Sequence, residues 1–335
     1  MNEEIDIEEL APWLVILITL IGVGLRALLL GTKGLWLDET FSVWLANQNV
    51  VDMLQWIVKI DQHPPLYYLL LHYWIALKGD TPHYVRLLSV LFGAGTIPII
   101  YLIGKRMSNA MMGLAAAAIL ALSLFNIYYA QETRMYTLLT FNAAVAIYAL
   151  VRLLTDSRAV RPIGSQLRAY LHTWRTSGPV EPDAKEDFSY KDKIRHRWLP
   201  LQTIETDLAW VAFIVFSAAT MLTHNTAVLF PLATNIFVLG LMLFQRITKS
   251  GSQPAFQAPS FGNWVIAQMG IFILWSPWLS TFINQASRVY QEFWIPEPTW
   301  DSVIQVLESF LNPSLSYLQG SQVMVMWTLY VLVLC

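Results

Sequence analysis

Apolar residues come in long blocks along this chain. Residues 12–31, 86–104, 109–128, 135–154, 208–223, 226–245 and 262–283 are such blocks, each close to the about 20 residues that a helix needs to cross a bilayer. They predict seven spanning helices. An eighth block opens at about Val323 and is still apolar at Cys335, so the chain is expected to stop inside a final, truncated span. The 14-residue apolar piece from Pro64 to Leu77 is too short to cross. It suits an interfacial or re-entrant helix, with the two prolines in its first turn. Residues 40–58 are amphipathic. The expected fold is all-α: a polytopic membrane helical bundle, one module over residues 1–335, with interfacial helices in the first outer loop, residues 32–85. No internal repeat or low-complexity tract interrupts it.

Composition agrees. The chain is 56% hydrophobic and 13% charged, well under the about 25% charged residues of soluble domains. A net charge of −2 gives no field for nucleic acid. The single cysteine, Cys335, excludes an intrachain disulfide framework and a cysteine metal cluster. The first ten residues are acidic, whereas secretory signals begin basic, and no small-x-small cleavage site follows. Residues 12–31 are therefore read as a retained anchor.

Basic residues set the orientation. With the N-terminus inside and residues 66–77 not crossing, the cytoplasmic side holds Lys105, Arg106, Arg152, Arg246, Lys249 and the nine basic residues of loop 155–207, together 14 of the 21 Lys and Arg. If residues 66–77 crossed, Lys105, Arg106 and the basic loop would face out. The first arrangement is expected. It brings Asp38-Glu39, His63, Gln131-Glu132-Thr133-Arg134, His224 and loop 284–321 to one outer face. The protein is then a multi-pass cell-membrane protein with an extracytoplasmic site.

Each of these groups has a chemical reading and a plainer one. Asp38 and Glu39 can serve as a general base and its neighbour, or Asp38 can cap the helix that follows. His63, held extended by Pro64, can meet a phosphate or a metal. Alone, it is more often structural. Arg134 offers a planar fork of donors to an anion, or pairs internally with Glu132. Tyr128, Tyr129 and Tyr136 fit interfacial aromatics, at least two of them as nothing more. His224, between two spans, is weak evidence alone but has His63 as a candidate partner. The two would share a divalent metal completed by Glu39 or Glu132, or each would hydrogen-bond backbone. The basic loop 155–207 reads as a solvated cytoplasmic face touching anionic lipid.

The ordered set Leu35-Trp36-Leu37-Asp38-Glu39-Thr40, His63-Pro64-Pro65-Leu66-Tyr67-Tyr68, Gln131-Glu132-Thr133-Arg134-Met135-Tyr136 and Thr223-His224 resembles the integral-membrane GT-C glycosyltransferases. It is most similar to glycosyltransferase family 39, with the protein O-mannosyltransferases and the lipid A aminoarabinose transferases. The resemblance spans roughly residues 12–285. It implies a GT-C bundle that takes a sugar from a polyprenyl-phosphate donor and passes it to a protein, lipid or polysaccharide acceptor. Asp38 is the implied catalytic residue. His63, Tyr67, Glu132, Arg134 and Tyr136 are the implied substrate contacts. His63 stands where the aminoarabinose branch often carries lysine for the donor phosphate. A divalent metal serves some branches and not others. A single displacement would invert the anomeric centre, by analogy with two-carboxylate glycosidases. The competing classes are a transporter or flippase of lipid-linked saccharides, which more often shows broken helices in matching halves, and a membrane scaffold.

Overall fold

The computed structural model describes residues 7–60, 63–177, 204–248, 256–292 and 299–311. Among them the chain is all-helical. Its helices are α1 (Ile7–Ala27), α2 (Leu37–Ala46), α3 (Val50–Ile60), α4 (Leu66–Lys78), α5 (Pro82–Met107), α6 (Ala110–Leu122), α7 (Leu124–Ala130), α8 (Tyr136–Leu154), α9 (Ser165–Ser177), α10 (Glu205–Met221), α11 (Leu229–Thr248), α12 (Phe261–Trp275), α13 (Leu279–Glu292) and α14 (Trp300–Leu311). Among the described residues, five segments are long and apolar enough to cross a membrane, or six if the bent pair α6–α7 counts as one span. The chain is a multi-pass helical membrane protein. Its outward faces stay apolar, as at Leu20, Ile236, Phe244 and Ile273.

Several boundaries differ from the sequence reading. The first helix ends at Ala27 rather than residue 31. The stretch 40–58 is two helices, broken between Ala46 and Val50. The third apolar block breaks at Ser123, whose hydroxyl accepts from the Asn126 N–H and starts α7 at 57° to α6. The fifth block is a 17-residue helix, α10, just under the length of the other spans. The seventh runs from α12 through a 3-10 turn at Ser276–Trp278 into α13. Pro64 and Pro65 precede α4 rather than opening its first turn. At 13 residues, α4 rises only about 20 Å, short of the about 30 Å hydrocarbon core of a bilayer. The eighth block, Asp61, residues 178–203 of loop 155–207 and most of the Trp/Pro-rich stretch 293–300 lie outside the described residues.

The inner bundle is α5, α6, α8 and α10, with α1 against α5 and α6 and α12 against α10. The α5–α6 crossing depends on small residues. A Cβ at Gly113 would stand 2.5 Å from the Tyr101 carbonyl oxygen, and one at Gly104 would stand 2.8 Å from the Gly113 Cα. This is close backbone approach of the kind that small residues allow between membrane helices. Further along, Trp264 of α12 stacks on Phe213 of α10 at 5.3 Å.

The two ends of the bundle differ. One end gathers Lys105–Glu8 at 2.6 Å, Arg152–Glu205 at 2.8 Å and Arg158–Asp156 at 2.9 Å. Here the Asp207 carboxylate accepts the Gly164 and Leu167 N–H groups and fixes the start of α9. Burial pushes the Asp156 carboxyl up, but five hydrogen bonds, from the Arg158 side chain, the Arg158 N–H and the Thr206 hydroxyl, outweigh it and hold the group down at about 2. The other end carries α2, α3, α4 and the 131–134 turn.

Candidate functional site

The site begins with α2. Its N-cap is Trp36, in extended conformation, so Asp38 is the second helical residue and not the cap. Glu39, three residues into the cap, takes the reciprocal part: its Oε2 accepts from the Trp36 N–H at 3.2 Å. Successive helical residues point about 100° apart, so the two carboxylates separate. Glu39 turns fully inward, while the Asp38 side chain keeps 41% of its exposure.

Inward, Glu39 meets Arg86 of α5. Arg86 donates to Glu39 twice, at 2.8 and 2.6 Å. Its other donors reach the carbonyls of Leu30, Lys33 and Gly34 at 2.8–3.0 Å. All five guanidinium N–H groups are used. Glu39 also accepts from the Thr133 N–H at 2.8 Å, which joins α2 to the turn before α8. Burial pushes the Glu39 carboxyl up, but Arg86 and the backbone donors outweigh it and hold the group below the usual carboxylate range. Glu39 is a structural knot.

One residue away, Arg134 is buried without such a set of partners. Its Nη1 reaches Ser42 Oγ at 3.5 Å. Its Nη2 stands 3.7 Å from Asp38 Oδ2, beyond hydrogen-bond range. The guanidinium lies 5.9 Å from the Tyr136 ring centroid. Its Nε has no hydrogen-bond partner among the described residues. Burial works against the charge, and Tyr68, Tyr136 and Asp38 more than offset it, so the guanidinium is held more firmly protonated than usual. The internal Glu132–Arg134 pair does not form; Arg134 faces Asp38. From behind, the Ser89 hydroxyl donates to the Arg134 carbonyl at 3.2 Å and meets the Tyr67 hydroxyl at 3.3 Å. Tyr67 is completely buried. It supports the turn and does not line an opening.

Beside this pair lies a pocket of about 250 Å³ lined by Trp36, Tyr128, Tyr129, Glu132 and Tyr136. All three tyrosines form its wall, with Tyr129 5.3 Å from Tyr128 and 4.9 Å from Tyr136 between ring centroids. Burial raises the Glu132 carboxyl above its ordinary value; Glu39 and Asp38 add to that, against the Tyr128 hydroxyl and Arg134.

His63 and His224 do come together, with ring centroids 5.1 Å apart. The Leu66 N–H donates to the Leu222 carbonyl and ties the two segments. His224 Nδ1 accepts from the Thr226 N–H at 3.2 Å and caps a 3-10 turn. Glu39 cannot complete a metal site, because Arg86, Trp36 and Thr133 occupy its oxygens. Among the described residues, no three His, Cys, Asp or Glu side chains are grouped as a metal would require; Asp61, two residues from His63, lies outside them.

Sequence reading did not place Trp36, Tyr128 and Tyr129 at a pocket or Arg86 at Glu39. Arg86 carried a signal: an arginine five residues into an apolar helix needs a partner, and Glu39 is that partner.

Residues 62–163 match the family model described as dolichyl-phosphate-mannose-protein mannosyltransferase. The segment contains His63, Tyr67, Arg86, Glu132, Arg134 and Tyr136, and leaves Asp38 and Glu39 outside. No curated protein and no solved structure matches the chain. The match covers under a third of the chain and supports the resemblance to the GT-C integral-membrane glycosyltransferases carried by the sequence.

Proposed function

We propose that this protein transfers a glycosyl group from a polyprenyl-phosphate donor to a hydroxyl or amine of a protein, lipid or polysaccharide acceptor, at the extracytoplasmic face of the cell membrane. The observation that carries this reading is Arg134, a buried guanidinium with an unpartnered Nε, 3.7 Å from a half-exposed carboxylate. A buried cation left short of acceptors is a ready receptor for an anion that brings several oxygens. A donor phosphate bound there competes with Asp38 for Arg134 and leaves Asp38 able to act as a base. Asp38 then takes the acceptor proton as the acceptor atom bonds to the anomeric carbon. The bond from that carbon to the phosphate oxygen breaks, and its electron pair leaves on the phosphate, where Arg134 meets the charge. One displacement inverts the anomeric centre.

The aromatic pocket beside this pair suits the sugar. Flat rings pack against its apolar face, and Glu132 offers a hydrogen bond to a hydroxyl. Tyr136 belongs to both the pocket and the Arg134 surroundings. His63 and His224 stand as a further polar pair for the donor or the acceptor. No step is routed through a metal.

The test is transfer itself. Membranes holding the full chain are given a panel of radiolabelled polyprenyl-phosphate sugars, with mannose first because the matched family is described by it. Label in a protein, lipid or glycan product supports the reading. Label that crosses the membrane but stays on its carrier supports a flippase instead and overturns it.

A further inference from the structure

A third buried arginine takes no part in the chemistry proposed above. Arg26 lies on α1 in the membrane bundle and is completely buried. A guanidinium there is costly unless every donor is met. Each one is. Nη1 donates to the Gly22 and Ala121 carbonyls, each at 3.0 Å. Nη2 donates to the Leu120 carbonyl at 2.9 Å and to Asn126 Oδ1 at 2.7 Å. Nε donates to the same Asn126 oxygen at 3.1 Å.

These acceptors lie on both sides of the break between α6 and α7. Leu120 and Ala121 are in the last turn of α6, whose carbonyls lose their partners where the helix stops at Ser123. Asn126 is on α7. One planar fork therefore holds both pieces of a span bent by 57°. The surroundings leave little spare room. A Cβ at Gly22 would clash with Ile97 Cδ1 and come 3.2 Å from Arg26 Nη1, and one at Gly93 would press to 3.1 Å from Ala130. A return brace runs the other way: Gln131 Nε2 donates to the Leu28 and Arg26 carbonyls at 3.0 and 3.3 Å.

We infer that Arg26 is a positioning residue that sets the α6–α7 bend, and with it the Tyr128 and Tyr129 wall of the aromatic pocket. Its effect on substrate rests on the function proposed above; its effect on the bend does not. An ammonium cannot span the break, because it is a point charge and not a fork. Arg26→Lys therefore keeps the charge and releases one side. Asn126→Ser is the second variant: it keeps Arg26 and removes the α7 acceptor.

Two measurements decide. The first uses spin labels at positions 112 and 127, in the full chain in nanodiscs with Cys335 replaced by serine. The parent is expected to give one narrow distance peak, and both variants a broadened or shifted one. The second is transfer kinetics. Both variants are expected to raise the donor KM by about tenfold or more with a smaller change in kcat, and the double variant should lose less than the product of the two single losses. A parent-like narrow peak in both variants overturns the inference, whatever the kinetics. A broadened peak with parent KM overturns the link to the pocket. If the parent itself transfers no sugar, the proposed function falls and the distance peaks alone decide the role of Arg26 in the bend.

Discussion

Two adjacent carboxylates in this protein meet two buried arginines, and the two pairs are built differently. At the Glu39 knot, Arg86 has all five donors met at 3.0 Å or less and the carboxylate is sealed from solvent. At the Asp38 mouth, Arg134 stands 3.7 Å from a half-exposed carboxylate and leaves Nε unpartnered. Arg26 resembles Arg86, with five donors and five bonds. Burial of a guanidinium is thus not itself a sign of chemistry here. Two of the three are structural because their donors are spent. Arg134 stands apart because its donors are not.

The difference is sharpest if the knot is cut. Glu39→Gln leaves Arg86 buried without its counter-charge, which is expected to cost about 3–5 kcal/mol of stability, measured as a fall in unfolding free energy in detergent. Its pH dependence has a definite sign. The folded carboxyl lies below its ordinary value of 4.5, so its contribution is complete above that pH and is lost as pH falls through the depressed folded value. The parent should lose stability in acid below pH 4.5, and Glu39→Gln should lose less over the same window.

Cutting at the mouth should spare the fold and weaken binding. Arg134→Lys keeps a cation and loses the fork. It is expected to raise the donor KM by about tenfold to a hundredfold, in line with about 1.5–3 kcal/mol for a hydrogen bond to a charged group. Unchanged donor KM and turnover would remove the phosphate from Arg134.

The smallest effect is expected at Glu132. Its carboxyl is raised, so the folded state holds its proton more tightly than the unfolded chain does, and charging it costs stability as pH rises through that range. Glu132→Gln should therefore melt at or slightly above the parent temperature at pH 7 while transfer slows. A lower melting temperature would make Glu132 a structural group like Glu39.

Much of this was legible in the sequence. The apolar blocks gave the bundle because a bilayer demands long apolar helices. The nearness of Asp38 to Arg134 and of His63 to His224 fits polar residues sharing one face. That Asp38 and Glu39 point apart follows from helical geometry, but the identity of the knot does not. Arg86 sits in an apolar helix whose partner is 47 positions away. Tyr67 looked like a contact because it follows His63-Pro64-Pro65, and only packing shows it sealed behind Ser89. The break at Ser123 lies within an alanine-rich block with no proline, and Arg26, which holds it, is distant in sequence.

The most direct measurement is turnover by Asp38→Asn, with donor KM and melting temperature taken on the same preparation. Asn keeps the size of the side chain and removes the base. Asp38 is half-exposed and outside the knot, so the fold should stay near that of the parent, and donor affinity should hold or rise with the competing carboxylate charge gone. Turnover should fall by about 10²–10⁴. An Asp38→Asn variant that turns over like the parent would contradict the assignment of Asp38 as the base.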